Sequence, residues 1–154
     1  MNIFSRIKSI WQKPKVVVVA GDDKEMIKRI VSQILGTSFK VEKEILFVDD
    51  VKKISFPLKN YLILDYNSDG ARKIKDENPS KILTFGFQED ADFRASDIIQ
   101  NGRTNFKINY QGNIVPVWLK NGFGQKEISS VLAAAAVGTV FGLNLVEISQ
   151  SLTQ

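Results

Sequence analysis

Apolar and polar positions change rhythm several times along this chain, and each change marks an element. Lys15–Ala20 holds four consecutive valines, Val16–Val19. An unbroken β-branched run predicts a strand covered on both faces, as in a parallel sheet. From Asp22 the period lengthens, and Met26, Ile27, Ile30, Val31, Ile34 and Leu35 form one helical stripe that stops near Gly36. Strand, tight turn and helix make the first half of a βαβ unit. Further strands are expected within Phe39–Val48, at Asn60–Tyr66 and at Ser80–Phe87. The polar, turn-rich stretch between the last two has room for a short helix.

After Asp90 strict alternation takes over. Phe106, Ile108 and Tyr110, then Ile114 to Leu119, flank the turn Gln111–Asn113 and predict a β-hairpin. Pro116 cannot donate to a ladder, so it points to an edge position or a bulge. Lys126–Gly142 is alanine-rich and apolar almost all round, the pattern of a buried helix packed closely by small residues, with Gly142 as its cap. Asn144 fits the N-cap of a last helix carrying Leu145, Ile148 and Leu152 on one face. At the other end, residues 1–13 place Ile3, Phe4, Ile7, Ile10 and Trp11 on one side of a short amphipathic helix. Such a face suits docking on the body, on a protein partner or on a membrane surface. The expected organisation is that helix followed by one α/β domain over residues 14–154. The domain is a mostly parallel sheet flanked by helices, with a β-hairpin and two C-terminal helices.

Composition narrows the chemistry. The chain has 154 residues, 44% hydrophobic and 25% charged, which suits one soluble domain with a real core. No apolar run approaches the roughly 20 residues of a spanning helix, and none resembles a signal peptide, so a cytoplasmic location is expected. There is no cysteine, which removes disulfides and thiolate chemistry. There is no histidine, which rules out a Ser-His-Asp triad and makes a zinc site untenable within this chain. The formal charge of +4 comes from 21 basic and 17 acidic residues scattered along the sequence. Nucleic-acid binders show a basic stripe with aromatic platforms, and none is present, so no nucleic-acid partner is expected.

Three stretches, in order, carry a resemblance. They are "KPKVVVVAGDDKEMIKRIVSQILGTSFKV", "YLILDYNSDGARKIKDENPSKILTFGFQEDADFRASDI" and "GQKEISSVLAAAAVGTVFGLNLVEISQSL". Together they resemble the central ATP-binding domain of the Mur ligases, which join amino acids or peptides to a UDP-linked muramic acid in peptidoglycan synthesis. The D-alanyl-D-alanine-adding branch is the nearest in pattern. The first stretch sits like that family's strand, P-loop and helix, usually I-T-G-S-x-G-K-T-S-T-K-E. The second is similar to its N-A-D-D strand, "TFG" strand and "ADxxAxxI" segment. The third is similar to its G-x-H-N-x-x-N-x-L-A-A-x-A-x helix and the helix that follows.

The resemblance implies an ATP and Mg²⁺ site, and the residues at its landmarks differ. Aligned without a gap, Lys24 falls on the phosphate-binding lysine, but Ala20 and Asp23 fall on glycines and Glu25 on the Mg²⁺-holding threonine. Glycine there lets the backbone approach phosphate oxygens, and the hydroxyl holds the ion. Asp22, Asp23 and Glu25 instead bring negative charge to the place of a triphosphate. Two unit charges about 4 Å apart repel by roughly 4 kcal/mol in a partly screened site. Asp22 and Glu25 also have capping-box spacing, so a self-capped helix start is expected. At the N-A-D-D position stand Asp65, Tyr66, Asn67 and Ser68. In the late motif Lys126 replaces histidine, and Glu127 and Ser130 replace the two asparagines.

Between Val41 and Tyr61 there are too few residues for the family's middle segment, with its metal-binding glutamate and histidine and its modified lysine. No counterpart of the family's UDP-sugar or C-terminal domain is expected within these residues either. The carboxylates of Val48–Asp50 and Gln88–Asp92 are expected to be exposed loop acids, with weak divalent-ion binding as the alternative. No catalytic or metal-ligating residue is assigned, and Lys24 is kept as a vestigial cofactor-binding lysine. The expected function is a non-catalytic, Mur-ligase-like binding or scaffold module without cofactor. Its expected partner is a Mur ligase or another wall-synthesis protein. The alternatives are an ATP- and Mg²⁺-dependent amide-forming ligase completed by other chains, and a membrane-surface adaptor held by Ile3, Phe4, Ile7 and Trp11.

Overall fold

The computed structural model describes residues 15–19, 23–49, 52, 61–77, 81–120 and 124–153. The expected helix over residues 1–13 lies outside them. Along the chain run β1 (Val16–Val19), α1 (Lys24–Leu35), a single helical turn α2 (Val41–Glu44), β2 (Ile45–Val48) and β3 (Tyr61–Asp65). Then come α3 (Asp69–Glu77), β4 (Ile82–Gly86), β5 (Phe93–Gln100), β6 (Thr104–Tyr110), β7 (Asn113–Leu119), α4 (Gln125–Val140) and α5 (Leu145–Thr153). The seven strands form one sheet in the order β2-β1-β3-β4-β5-β6-β7. β2, β1, β3, β4 and β5 are parallel neighbours, and β5–β6 and β6–β7 are antiparallel. This is the expected mostly parallel α/β sheet ending in a hairpin.

The valine run does what its composition demands. Val16, Val17 and Val18 are all buried, the even positions against the inner layer and Val17 against the outer one. The inner face carries α1, α4 and α5. α4 lies at the centre of that layer, and its run Ala133–Ala136 is wholly buried. Small side chains let its backbone come close to its neighbours. A Cβ on Gly138 would stand 3.3 Å from Ile148 Cδ1 and 3.3 Å from Ile34 Cγ2, so the three helices meet where one of them has no side chain.

Helix ends follow local chemistry. After α4, Leu143 N–H donates to Gly138 O at 3.0 Å and Gly142 N–H to Thr139 O at 3.1 Å. This is the Schellman pattern, and Gly142 adopts the φ of 97° that it requires. α5 opens with a reciprocal box: Glu147 N–H donates to Asn144 Oδ1 at 2.9 Å, and Asn144 N–H to Glu147 Oε1 at 3.2 Å. At α1 the start falls one residue later than the sequence spacing implies. Asp23 is the N-cap, its side chain makes no capping hydrogen bond, and Glu25 reaches Lys28 at 3.5 Å. Asp22 lies outside the described residues.

Two features of the antiparallel half depart from expectation or refine it. Phe93–Gln100 is a full strand that the pattern did not announce. Its register shifts between Ser96 and Ile99, so Asp97 and Ile98 together face one residue of β6, and Asp97 takes a φ of 50°. β7 is the sheet edge, as Pro116 required, and α5 guards it: Ser149 Oγ–H donates to Pro116 O.

Candidate functional site

In an open parallel sheet, ligands sit beyond the carboxyl ends of the strands where the strand order changes direction. Here that point lies between β1 and β3. A cleft of about 440 Å³ opens there. Val19 comes from the end of β1 and Asp23 from the head of α1, Asp49 from just after β2, and Asp65, Asn67 and Ser68 from the end of β3. Phe85 comes from β4 and Phe87 from just after it, and Gln125, Lys126, Ser129 and Ser130 come from the first turns of α4. The fold thus gathers Asp65, Asn67, Ser68, Lys126 and Ser130, all singled out in the sequence, into one place. Gln125 and Ser129 join them as helix neighbours of Lys126 and Ser130, and Asp49, from the acid run 48–50, joins through the strand order.

Lys24 is not in this group. It opens α1 as an exposed residue and does not line the cleft, whereas Asp23 just before it does. Of the formal charges on the lining, three are carboxylates (Asp23, Asp49, Asp65) and one is the Lys126 ammonium. The dipole at the start of α1 favours negative charge, and the Asp23 carboxylate stands where a bound anion would use that field.

Much of the remaining polarity is spent on the loop itself. Asp65 Oδ1 accepts the Asn67 N–H at 2.9 Å, an Asx-type turn. Ser68 Oγ accepts the Ala71 N–H at 3.4 Å and so caps α3. Asn67 Oδ1 accepts from Gln88 Nε2, while Gln88 Oε1 takes the Phe87 N–H at 3.1 Å. Gly86 makes this possible, because a Cβ there would lie 2.6 Å from Gln88 Oε1. Ser130 is buried and donates to Lys126 O at 2.9 Å. Among the described residues no cluster of three or more aspartates and glutamates is placed to hold a metal ion.

A second cavity, about 360 Å³, lies toward the amino ends of β3 and β4 and is lined by Tyr61, Lys75, Lys81, Asp92, Tyr110 and Thr139 among others. Asp92 was expected as an exposed loop acid, and the structure corrects this. Its Oδ2 accepts from Lys75 Nζ at 2.9 Å, Thr84 N–H at 2.8 Å and Thr84 Oγ1–H at 3.0 Å. The 88–92 turn folds back along β4, so a residue that looks solvated in sequence becomes a half-buried clasp between α3 and β4. Tyr110 stacks on Phe93 with ring centroids 4.0 Å apart. Burial first, then the charges of Asp92 and Tyr61, push its phenol above the ordinary 10.0.

The sequence matches no family model. It is similar to a UDP-N-acetylmuramate–L-alanine ligase of Persephonella marina, 28% identical over 110 residues, which span 69% of this chain and 22% of that protein. Among solved structures, a MurF from Acinetobacter baumannii superposes with a TM-score of 0.70 at 15% identity, covering 98% of this chain and 47% of that one. A type C pseudomurein peptide ligase from Methanothermus fervidus gives 0.67 at 14% identity, covering 99% of this chain and 51% of that one. The fold is that of a Mur-ligase central domain. This Mur-ligase-like chain spans about half the length of those structures and a smaller share of its sequence relative. The matches cross several branches, so they identify the architecture and not the amino acid or peptide that is joined. No helix among the described residues is long and apolar enough to cross a membrane.

Proposed function

We propose that this chain is a non-catalytic binding or scaffold module on the Mur-ligase central fold, serving peptidoglycan synthesis beside a Mur ligase or another wall-synthesis protein. One observation carries the reading: Asp23 stands on the cleft wall at the head of α1, while Lys24 is exposed outside it. A triphosphate entering the cleft would meet carboxylates at the helix start and at the ends of β2 and β3. Carboxylates there repel it, and the aspartate and serine at the end of β3 are already engaged in their own turn. The buried frame is intact and the polar positions that would handle nucleotide are altered. Titration calorimetry with Mg-ATP is expected to show no binding at micromolar concentrations, and micromolar affinity would overturn the proposal.

A second reading, an ATP-dependent ligase completed by other chains, draws on Lys126. Its ammonium lines the cleft at the start of α4 and has no ion-pair partner among the described residues. That reading requires nucleotide binding that Lys126→Ala abolishes, with Lys24→Ala the weaker lesion. The membrane-adaptor reading rests on residues 1–13. It requires liposome flotation that is lost when those residues are removed.

A further inference from the structure

We propose that the outer face of β5–β7 is a contact surface for an anionic lipid bilayer, with cations flanking an apolar centre. The inner side of these strands, formed by Phe93, Ala95, Phe106, Ile108, Val115 and Val117, is buried in the main core. Strand alternation therefore turns the residues between them outward. Register places Ile99, Asn105 and Trp118 in one outward row and Arg94, Asn109 and Ile114 in another. Among the described residues seven large hydrophobics are exposed, and four of them, Ile98, Ile99, Ile114 and Trp118, belong to this unit. That concentration exceeds the scatter of single exposed hydrophobics on a soluble surface.

Charge selects the occupant. Residues 93–120 contain Arg94, Arg103, Lys107 and Lys120 against the single acid Asp97, so this unit holds three of the chain's four net positive charges. Charge that looks scattered along the sequence is thus concentrated on the strands that carry the apolar patch. Asp97 is already engaged by Lys107 at 2.9 Å. Arg94, Arg103 and Lys120 have no ion pair among the described residues. Arg103 lies in the β5–β6 turn and Lys120 directly follows β7. The β6–β7 register, carried one step beyond the Thr104–Leu119 pair, sets them opposite each other. Cations therefore stand at both ends of the patch, Arg94 in the row of Ile114 and the other two next to the row of Ile99 and Trp118.

An anionic bilayer meets these features together. Its headgroups neutralise unpaired arginine and lysine, and its interface is the preferred depth of an indole ring. Its acyl boundary accepts isoleucine without a shaped pocket, while long basic side chains reach back to the headgroups. An acidic protein would satisfy the cations alone. Neither cavity described above is lined by Ile98, Ile99, Ile114 or Trp118, so the patch gives a protein anchor no pocket to fill. A few side chains and three cations give reversible, salt-sensitive binding. None of these residues lines the carboxyl-end cleft, so the contact is independent of whether nucleotide binds there.

Flotation of the full chain with vesicles tests this. The chain should bind phosphatidylglycerol–phosphatidylcholine vesicles, bind phosphatidylcholine alone far less, and lose binding as salt rises. Arg103→Gln with Lys120→Gln should weaken the partition on the order of tenfold or more, at about fivefold per cation. Lys40→Gln with Lys43→Gln removes the same charge at the opposite edge of the sheet and should leave the partition close to wild type. Trp118→Ser should weaken it with an unchanged thermal melt. Trp11 and Trp118 are the chain's two tryptophans, so in Trp11→Phe the indole emission reports Trp118 alone. It should shift to the blue when anionic vesicles are added, a readout that stands even if Trp118→Ser fails to fold. Absent flotation, equal binding to neutral vesicles, an Arg103→Gln, Lys120→Gln chain that floats like wild type, or an unshifted Trp118 emission overturns the proposal. Flotation that depends on residues 1–13 alone also overturns it, as does binding of polyglutamate, the probe for an acidic protein, without binding of vesicles.

Discussion

The two faces of the sheet are built to different standards. The inner face is covered by α1, α4 and α5, and its core runs without a break from Val16 and Ile45 to Val115 and Val117. The outer face, among the described residues, has only the nine-residue α3 over β3 and β4, above a small cluster of Val17, Leu62, Leu64, Ala71 and Ile82. Beyond it no described element covers the antiparallel strands, where Ile99, Ile114 and Trp118 are exposed. A fold whose cohesion lies on one side leaves its other side, and the loops at its strand ends, free to change without loss of structure. The altered cleft residues and the apolar outer patch are both such places.

If cohesion is concentrated inside, the largest losses should come from there. Phe93 is fully buried at the join between the parallel and antiparallel halves and stacks on Tyr110. Phe93→Ala should cost about 3–5 kcal/mol in urea unfolding. Gly138→Leu attacks the inner face from the opposite direction, by overfilling. A side chain there meets Ile34 and Ile148 at once and should push α1, α4 and α5 apart, at a cost of about 1–3 kcal/mol. If either change left the melt untouched, the inner layer would not be the seat of stability.

A smaller effect sharpens the contrast between helix starts. Asn144 both gives and receives in the box at the head of α5, whereas Asp23 makes no capping bond at the head of α1. Asn144→Ala should therefore cost about 1 kcal/mol. Asp23→Ala should cost less, since it removes only the favourable charge at the helix start. Equal losses at the two positions would mean that Asp23 caps α1 after all. On the outer face, Ile114→Thr should stay within about 0.5 kcal/mol, because its side chain is already largely in solvent.

The sequence was legible wherever an element's pattern is local and unbroken. The valine run, the stripe from Met26 to Leu35, the alanine-rich helix and the Asn144–Glu147 box each announce themselves within a few residues. β5 did not. Phe93 and Ala95 begin an inward alternation that the bulge at Asp97 resets, so the sequence "FRASDIIQ" has no single period. Asp92 was misread for a related reason. Its partners Lys75 and Thr84 lie 17 and 8 residues away, and only the return of the 88–92 turn brings them together. The cleft was half legible: resemblance pointed to Asp65, Asn67, Ser68, Lys126 and Ser130. Asp49 enters it through a strand order that depends on the whole sheet.

The smallest effect at neutral pH belongs to Tyr110, at the amino-end cavity on the well-packed side. Burial, and then Asp92 and Tyr61, raise its phenol pKa in the folded state above the unfolded 10.0. The folded protein thus holds this proton more tightly than the unfolded chain does. The resulting stabilisation is fully present below pH 10.0 and is lost as pH rises through the folded pKa. Lysines in general titrate in the same range, so the wild-type curve alone is not diagnostic. The difference between wild type and Tyr110→Phe is, because phenylalanine has no proton to lose. The two proteins should keep a constant stability difference up to about pH 10 in urea unfolding. Above it the wild type should fall faster, converging on or crossing the variant. Parallel curves through pH 11 would show that Tyr110 ionises as freely in the fold as in the unfolded chain. The cavity would then be as wet as the exposed outer face, and the contrast between the two sides would weaken at this end of the sheet.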